Sequence, residues 1–185
     1  MKLFGWKAAG RASARSRERP VVLSRGGMNW RGGDRPRSYE AQLREGYLNN
    51  PIAQRAVRLV AEGVAATPIT SSDDALTPLI TATSGGQSLL ETLATHLLLH
   101  GNGYVQILKG ADGRPCELFA LRPDRVSVEA DAFGWPGAYL YRVGDRATRL
   151  TSEELIHIRT HHPLDDHYGQ GCLGAASGEI GRAHV

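Results

Sequence analysis

Residues 88–109 carry the strongest periodic pattern in the chain. From position 90 to position 98, leucine and alanine recur at the spacing of one helical face. Ser88 is followed three residues later by Glu91, a pairing typical of a helix start. Gly101 can take the left-handed conformation that ends a helix. Alternating residues at 104–108 then predict a strand. The segment therefore predicts a helix packed on a sheet.

Further helices and strands surround this unit. One helix is predicted at residues 38–48, and a second begins at Asn50-Pro51, where Asn is a favourable cap and Pro suits the first turn. Pro68 marks the end of that second helix. Its apolar face is formed by Ile52, Ala56, Leu59 and Val60, while its charged residues Arg55, Arg58 and Glu62 stay in water. Residues 71–87 are expected to form a loop. Strands are predicted at 68–70, 104–108, 116–121, 126–130, 138–143, 147–150 and 155–159, with one capped helical turn at 151–154. This order favours an α+β fold in which two or three helices pack on a mainly antiparallel sheet of about six short strands.

The charge of the chain is concentrated at its N-terminus. The 185 residues carry a formal net charge of +3. Residues 1–37 alone hold ten Lys or Arg against two acidic residues, a local net of +8 that leaves −5 for the remainder. This segment has no sustained apolar period, so it is predicted to be a disordered basic arm. A folded domain is expected over residues 38–178.

Cysteine usage and hydropathy narrow the class of protein. The two cysteines, Cys116 and Cys172, form no CxxC pair, which fits a reducing compartment rather than a disulfide scaffold. No apolar run is long enough to cross a bilayer, so no membrane partner is expected.

Residues 179–185 read EIGRAHV, and a back-translation of that string resembles a sequencing adapter read in frame. We expect the natural protein to continue differently after about Gly178.

A cluster of imidazoles and carboxylates near the C-terminal end raises the possibility of metal chemistry. The candidate ligands are His157, His161, Asp165 and His167. These residue types suit a transition metal, and a metal-dependent hydrolase is one alternative function. However, the cluster lacks a paired-ligand spacing such as HExxH. A polar loop explains it more simply.

Other chemical motifs are missing from the sequence. His96 and His100 lie four residues apart, but no general base follows His96, so they are interpreted as surface or boundary residues of a helix. The sequence contains neither a Walker motif nor a GxSxG elbow. We therefore expect no catalytic residue and no cofactor, and no enzymatic activity.

The basic arm suggests a second alternative, a general nucleic-acid-binding module. Cationic side chains gain salt-dependent affinity for phosphates by releasing counterions. The candidate contacts for nucleic acid or for assembly are Arg11, Arg15, Arg17, Arg19 and Arg25. Trp6 and Trp30 flank them and could stack on bases.

Four segments, in order, resemble the portal proteins of tailed bacteriophages and gene-transfer agents. They are NPIAQRAVRLVAEGVAATPI at 50–69, SLLETLATHLLLHGNGYVQILK at 88–109, LFALRPDRVSVEAD at 118–131 and ELIHIRTHHPLDDHYGQGCLGAA at 154–176. One departure is Gly169-Gln170-Gly171-Cys172, where the family has Gly-hydrophobic-Ser-Pro. A second is length, since family members continue into stem, clip and crown segments.

The resemblance implies a structural subunit of a ring, usually a dodecamer, at one vertex of a capsid. It implies a wing-like domain at 38–178 and a channel through which terminase packages DNA. The implied partners are further copies of the chain, the terminase large subunit, the major capsid protein, a head–tail adaptor and double-stranded DNA that passes non-specifically. The implied locations are the virion and, during assembly, the bacterial host cytoplasm.

Overall fold

The structure is a computed structural model that describes residues 39–173. The basic arm, its five candidate arginines and residues 179–185 lie outside this range. The helices are α1 (Tyr39–Leu43), α2 (Pro51–Ala65), α3 (Thr77–Thr81) and α4 (Leu89–His100), with a π-helical turn at Arg44–Leu48 and a 3₁₀ turn at Pro123–Arg125. The strands are β1 (Thr83–Ser84), β2 (Gln87–Ser88), β3 (Asn102–Lys109), β4 (Pro115–Leu121), β5 (Val126–Ala130), β6 (Pro136–Val143), β7 (Arg146–Thr151) and β8 (Leu155–Arg159).

The strands form two antiparallel sheets and a short ribbon. The first sheet has the order β4-β3-β8, the second has the order β5-β6-β7, and β1 pairs with β2. The α+β class with mainly antiparallel strands is thus confirmed. The six longer strands, however, divide equally between two sheets. In the first sheet β8 returns to pair with β3, so that Tyr104 lies opposite His157.

The main core lies between the two sheets. Because side chains alternate along a strand, one face of the first sheet presents Tyr104, Leu121 and Leu155. These pack against three buried residues of the second sheet, Val126, Tyr139 and Leu150. This face also carries Asn102, only 1 % exposed. A buried polar group needs partners, and its partners are described below.

The opposite face of the first sheet is covered by α4. Ser88 Oγ accepts a hydrogen bond from Glu91 N at 3.5 Å, and Gly101 ends the helix with a φ of +82°. Both predicted helix boundaries are therefore confirmed. A Cβ at Gly103 would collide with Leu93 Cδ1, which shows how closely α4 lies on β3.

Three local predictions were wrong. Residues 68–70 form no strand, and α3 with the β1–β2 ribbon occupies part of the predicted loop at 71–87. The predicted helical turn at 151–154 is a hydrogen-bonded turn that starts from Thr151, the last residue of β7: Glu154 N donates to Thr151 O at 3.1 Å. The predicted cap is present, because Glu154 Oε2 accepts from both Thr151 N and Thr151 Oγ1 at 2.9 Å.

Candidate functional site

The apolar face predicted for α2 points away from the domain. Ile52 is 80 % exposed, Leu59 is 59 % exposed and Val60 is 50 % exposed. The helix packs on α4 through the opposite side, which holds the fully buried Ala61. The residues of the exposed stripe are Ile52, Ala56, Leu59, Val60, Gly63 and Val64. Periodicity correctly placed Ile52, Ala56, Leu59 and Val60 on one face of the helix. It did not predict that this face points away from α4.

The predicted wet residues of α2 are confirmed as exposed ion pairs. Arg58 Nε lies 3.1 Å from Glu62 Oε1, and Arg55 Nη1 lies 3.9 Å from Glu62 Oε2. Asn50 Oδ1 accepts from Ile52 N and Ala53 N, as expected for the helix cap. Asn50 thus caps the start of the helix, and the ion pairs of Arg55, Arg58 and Glu62 lie beside its exposed apolar residues.

Asn102 joins the turn after α4 to the loop that follows β8. Its Oδ1 accepts from Gly169 N at 2.8 Å, and its Nδ2 donates to Gly169 O at 3.2 Å. The reverse amide orientation would place Nδ2 against the donor Gly169 N and Oδ1 against the acceptor Gly169 O. The contacts with Gly169 therefore determine the orientation of the Asn102 amide. Thr160 strengthens the junction, because its N and Oγ1 donate to Gly101 O at 2.9 and 3.1 Å. We call this contact the Asn102 junction.

His157 completes the Asn102 junction from the neighbouring strand. Its Nε2 lies 3.1 Å from Asn102 Oδ1, an atom that only accepts, so Nε2 carries the proton. The ring stacks on Tyr104 at a centroid distance of 4.3 Å and meets Tyr139 edge-on at 5.7 Å. Burial, with smaller contributions from Arg159 and two other histidines, lowers its pKa to about 4. His157 is therefore a neutral packing residue between the sheets.

Glycines allow the loop after β8 to approach this closely. A Cβ at Gly171 would lie 2.6 Å from Leu99 C and 2.8 Å from His100 N. A Cβ at Gly169 would lie 2.7 Å from Thr160 Oγ1. The two Gly-x-Gly stretches, at 101–103 and 169–171, meet here, since a Cβ at Gly101 would lie 2.6 Å from Gln170 N and from Gly169 C. The end of α4 and the start of β3 therefore pack directly on the loop after β8.

The candidate metal ligands occupy separate structural roles. His167 is buried and its Nε2 lies 2.6 Å from Gly134 O, while Asp165 Oδ1 accepts from His167 N and Tyr168 N at 2.8 and 2.9 Å. His161 is exposed, and His157 faces Asn102. Within residues 39–173, no three His, Cys, Asp or Glu side chains are arranged to hold a metal ion. The described geometry gives the metal-hydrolase alternative no support.

His96 and His100 are more buried than expected for the wetter side of a helix. Burial lowers the pKa of His96 to about 4, and burial also lowers the pKa of His100. His100 meets the ring of Tyr39 edge-on at 4.5 Å, which ties α1 to α4. His100 thus contributes to helix packing, while the buried Nδ1 of His96 has no hydrogen-bond partner among the described residues.

A cleft of about 610 Å³ opens beside the Asn102 junction. Among its lining residues are Tyr39, His100, Asp124 and Asp165. Asp124 pairs with Arg122 at 2.7 Å, and Asp165 caps the turn at His167. These two carboxylates are thus engaged by neighbouring groups of the protein. No described helix is long and apolar enough to cross a bilayer.

Comparison with known proteins identifies the family. A family model described as phage portal protein matches residues 51–185. The neck of a native gene-transfer-agent particle, solved with C12 symmetry, contains a chain 37 % identical to this one with a TM-score of 0.72, over 79 % of this chain and 42 % of the other. A chain in the neck of an empty particle, solved with C6 symmetry, matches with the same identity and a TM-score of 0.71, over 79 % of this chain and 43 % of the other.

Two more distant matches show a shared fold and a related sequence. An HK97-family phage portal protein from Corynebacterium diphtheriae has the same fold at 19 % identity, with a TM-score of 0.56 over 83 % of this chain and 48 % of that one. An uncharacterized protein of Rickettsia felis is 28 % identical over 72 % of this chain and 38 % of its own length. This chain therefore spans less than half the length of the proteins it matches. The resemblance that the four sequence segments indicated is confirmed, and the chain belongs to the phage portal protein family.

Proposed function

We propose that this chain is the N-terminal, wing-like part of a portal subunit that assembles into a ring at one vertex of a phage or gene-transfer-agent capsid. The observation that carries the proposal is the 37 % identity, over 79 % of this chain, to a chain in the twelvefold-symmetric neck of a gene-transfer-agent particle. The role is structural: the subunit encloses a channel for double-stranded DNA. It contacts further copies of itself, the terminase large subunit, the major capsid protein and a head–tail adaptor.

The described geometry supports a structural role in two ways. The histidines that could have marked a reactive site are neutral packing residues at sheet and helix contacts. The Asn102 junction connects the loop after β8 to the turn after α4 through two hydrogen bonds. Such a junction suits a domain that must keep its shape while the chain continues toward the channel.

The test is to express the complete reading frame from the source DNA and examine the product. Negative-stain electron microscopy should show rings with a central channel, and light scattering should give the mass of a closed oligomer. A protein that remains monomeric at every concentration would contradict the proposal. Gene order gives an independent check, because a terminase gene upstream and a capsid gene downstream are expected.

A further inference from the structure

We propose that Asn102 is a deamidation site that the Asn102 junction keeps unreactive, so that an opening of the junction becomes permanent once the reaction has occurred. The inference concerns the covalent chemistry of this chain and does not rest on the portal function. Asn102 is followed by Gly103, and asparagine loses its side-chain amide most readily before glycine, because no Cβ shields the attacking backbone nitrogen. The other asparagines, Asn29, Asn49 and Asn50, are followed by Trp, Asn and Pro.

Packing requires both members of this labile pair. Asn102 supplies one donor and one acceptor to Gly169, a role that needs a side-chain amide. A Cβ at position 103 would collide with Leu93 Cδ1, so glycine allows β3 to lie close to α4. The fold therefore places the reactive Asn-Gly sequence at a buried position.

The reaction passes through a five-membered succinimide ring. Gly103 N gives its proton to a base in the solvent and attacks Asn102 Cγ. The N–Cγ bond forms, the Cγ–Nδ2 bond breaks, and Nδ2 takes up a proton and leaves as ammonia. A solvent water molecule then opens the ring. Attack of water at Cγ gives aspartate, and attack at the main-chain carbonyl gives isoaspartate. Nothing is oxidised or reduced, since one water is consumed and one ammonia is released.

The folded backbone and the junction together block this attack. Asn102 is 1 % exposed, so solvent does not reach its amide, and both amide atoms are engaged in the junction. Thr160 N donates to Gly101 O, and the alternation of an antiparallel ladder then directs Gly103 N toward β8, opposite Ile158. Ring closure also needs a rotation about the Cα–C bond of Asn102 that an extended strand does not provide.

The products cannot rebuild the junction. A carboxylate at position 102 has no donor for Gly169 O, and it brings a charge into a site that is closed to water. Isoaspartate adds a methylene to the main chain at the start of β3, which displaces the pairing with β8. A chain that opens and reacts therefore stays destabilised.

The test follows the modification of the 185-residue chain in mildly alkaline buffer, with and without urea, beside a synthetic peptide of residues 98–106. Mass spectrometric peptide mapping separates the asparagine, aspartate and isoaspartate forms. The folded chain should react on the order of a hundredfold or more slowly than the peptide, because a buried site must first open. The chain in urea should react at the rate of the peptide. A folded chain that reacts at that same rate would overturn the proposal.

A pair of threonine variants tests whether the junction controls the rate. Thr160→Val weakens the junction without altering the Asn-Gly sequence, since Thr160 Oγ1 donates to Gly101 O at 3.1 Å and to Gln170 O at 2.9 Å. Thr67→Val is the matched control, because Thr67 Oγ1 donates to Gly63 O at 3.0 Å after the end of α2. Without urea, Thr160→Val should react about tenfold faster than the wild type, and Thr67→Val at the wild-type rate. Equal rates in both variants would exclude the junction as the barrier.

Two further measurements keep the test decisive if Thr160→Val does not fold. In the wild type, urea below the unfolding transition should already raise the rate, and a rate that rises only with global unfolding would contradict a local opening. Asn102→Asp, which carries the side chain of one product, should melt at a lower temperature than the wild type. An unchanged melting temperature would show that the product rebuilds the junction, and the opening would not be permanent.

Discussion

Asn102 and Gly169, which are 67 positions apart, exchange two hydrogen bonds: Gly169 N donates to Asn102 Oδ1 at 2.8 Å, and Asn102 Nδ2 donates to Gly169 O at 3.2 Å. The side-chain amide thereby donates one hydrogen bond to the backbone of the loop and accepts one from it, as a neighbouring β-strand does. Because Asn102 directly follows the turn that ends α4, this pair links the helix, the first sheet and the loop after β8. It is the contact on which the C-terminal side of the described domain depends.

Replacing Asn102 by Ala should destabilise the domain strongly. The change leaves Gly169 N, Gly169 O and His157 Nε2 without their partner in a buried setting, and each unpaired group costs about 1–3 kcal/mol. We expect a loss of about 3 kcal/mol or more in the free energy of unfolding, measured by urea denaturation. The control is Asn49→Ala, which alters an exposed side chain. Equal stability of the two variants would contradict a structural role for the junction.

Loss of the hydroxyl group should affect the stability of the domain differently at Tyr104 and at Tyr168. Tyr104 is 0 % exposed, and its hydroxyl has no hydrogen-bond partner among the described residues. Tyr104→Phe removes a buried unpaired polar atom, so stability should stay the same or rise. Tyr168 Oη accepts from Val128 N at 2.9 Å, and Tyr168→Phe should cost about 1 kcal/mol. Thermal melts of both variants check this, and a greater loss for Tyr104→Phe would contradict it.

The domain should lose stability in mild acid. Burial lowers the pKa of His96 and of His157 from 6.5 to about 4. The unfolded chain therefore binds protons at these residues while the folded chain does not. Their contribution is fully present above pH 6.5 and is lost as the pH falls toward 4. One pKa unit corresponds to about 1.4 kcal/mol.

The measurement is the melting temperature between pH 7.5 and pH 4.5. His157→Gln should flatten the pH dependence, because it removes one of the groups that resists protonation. His161→Gln, which changes an exposed histidine, should leave the dependence as in the wild type. Parallel curves for the wild type and His157→Gln would show that the acid sensitivity has another source.

Two glycine-to-alanine substitutions should change the free energy of unfolding in opposite directions. A Cβ at Gly171 would lie 2.6 Å from Leu99 C and 2.8 Å from His100 N, and backbone atoms cannot yield as a side chain can. Gly171→Ala should therefore cost about 1–3 kcal/mol or more. Gly63 lies within α2 with open space around it, so Gly63→Ala should stabilise the folded chain by about 0.5–1 kcal/mol. Urea denaturation distinguishes the two, and a stable Gly171→Ala would refute the close packing of the turns.

Local chemistry explains which parts of the fold were predictable. The caps at Asn50 and Ser88 and the stop at Gly101 depend on residues a few positions apart, so the sequence indicates them directly. The division of the strands into two sheets depends on β8 returning to β3, a pairing of distant segments. Likewise, periodicity grouped Ile52 with Val60 but carries no information about which side of α2 meets α4.

The Asn102 junction was missed for the same reason. In the sequence Asn102 looks like an ordinary turn residue, and its partners Gly169 and His157 are distant along the chain. The one available signal was the presence of two Gly-x-Gly stretches, at 101–103 and 169–171. The imidazoles that suggested a metal site instead follow the packing of strands and loops, which spacing alone does not reveal.

The basic arm should supply the salt-dependent part of any association with DNA. Residues 1–37 hold ten Lys or Arg, and they lie outside the described residues. Because the folded domain at 39–173 has its own core, deleting 1–37 should leave its melting temperature unchanged. Each phosphate contact contributes about 0.9 to the slope of log affinity against log salt. Loss of the five candidate arginines should therefore reduce that slope by up to about 4 or 5.

The matched variant keeps the arm and neutralises five of its ten cationic residues. In it, Gln replaces Arg11, Arg15, Arg17, Arg19 and Arg25. If phosphate neutralisation is the cause, the glutamine variant should bind duplex DNA more weakly than the wild type, and the deletion, which removes all ten cations, should bind more weakly still, in fluorescence anisotropy titrations at several salt concentrations. If the glutamine variant keeps the wild-type slope, the arginines do not contact phosphates. A deletion that alters ring yield but not the salt slope would instead assign the arm to assembly.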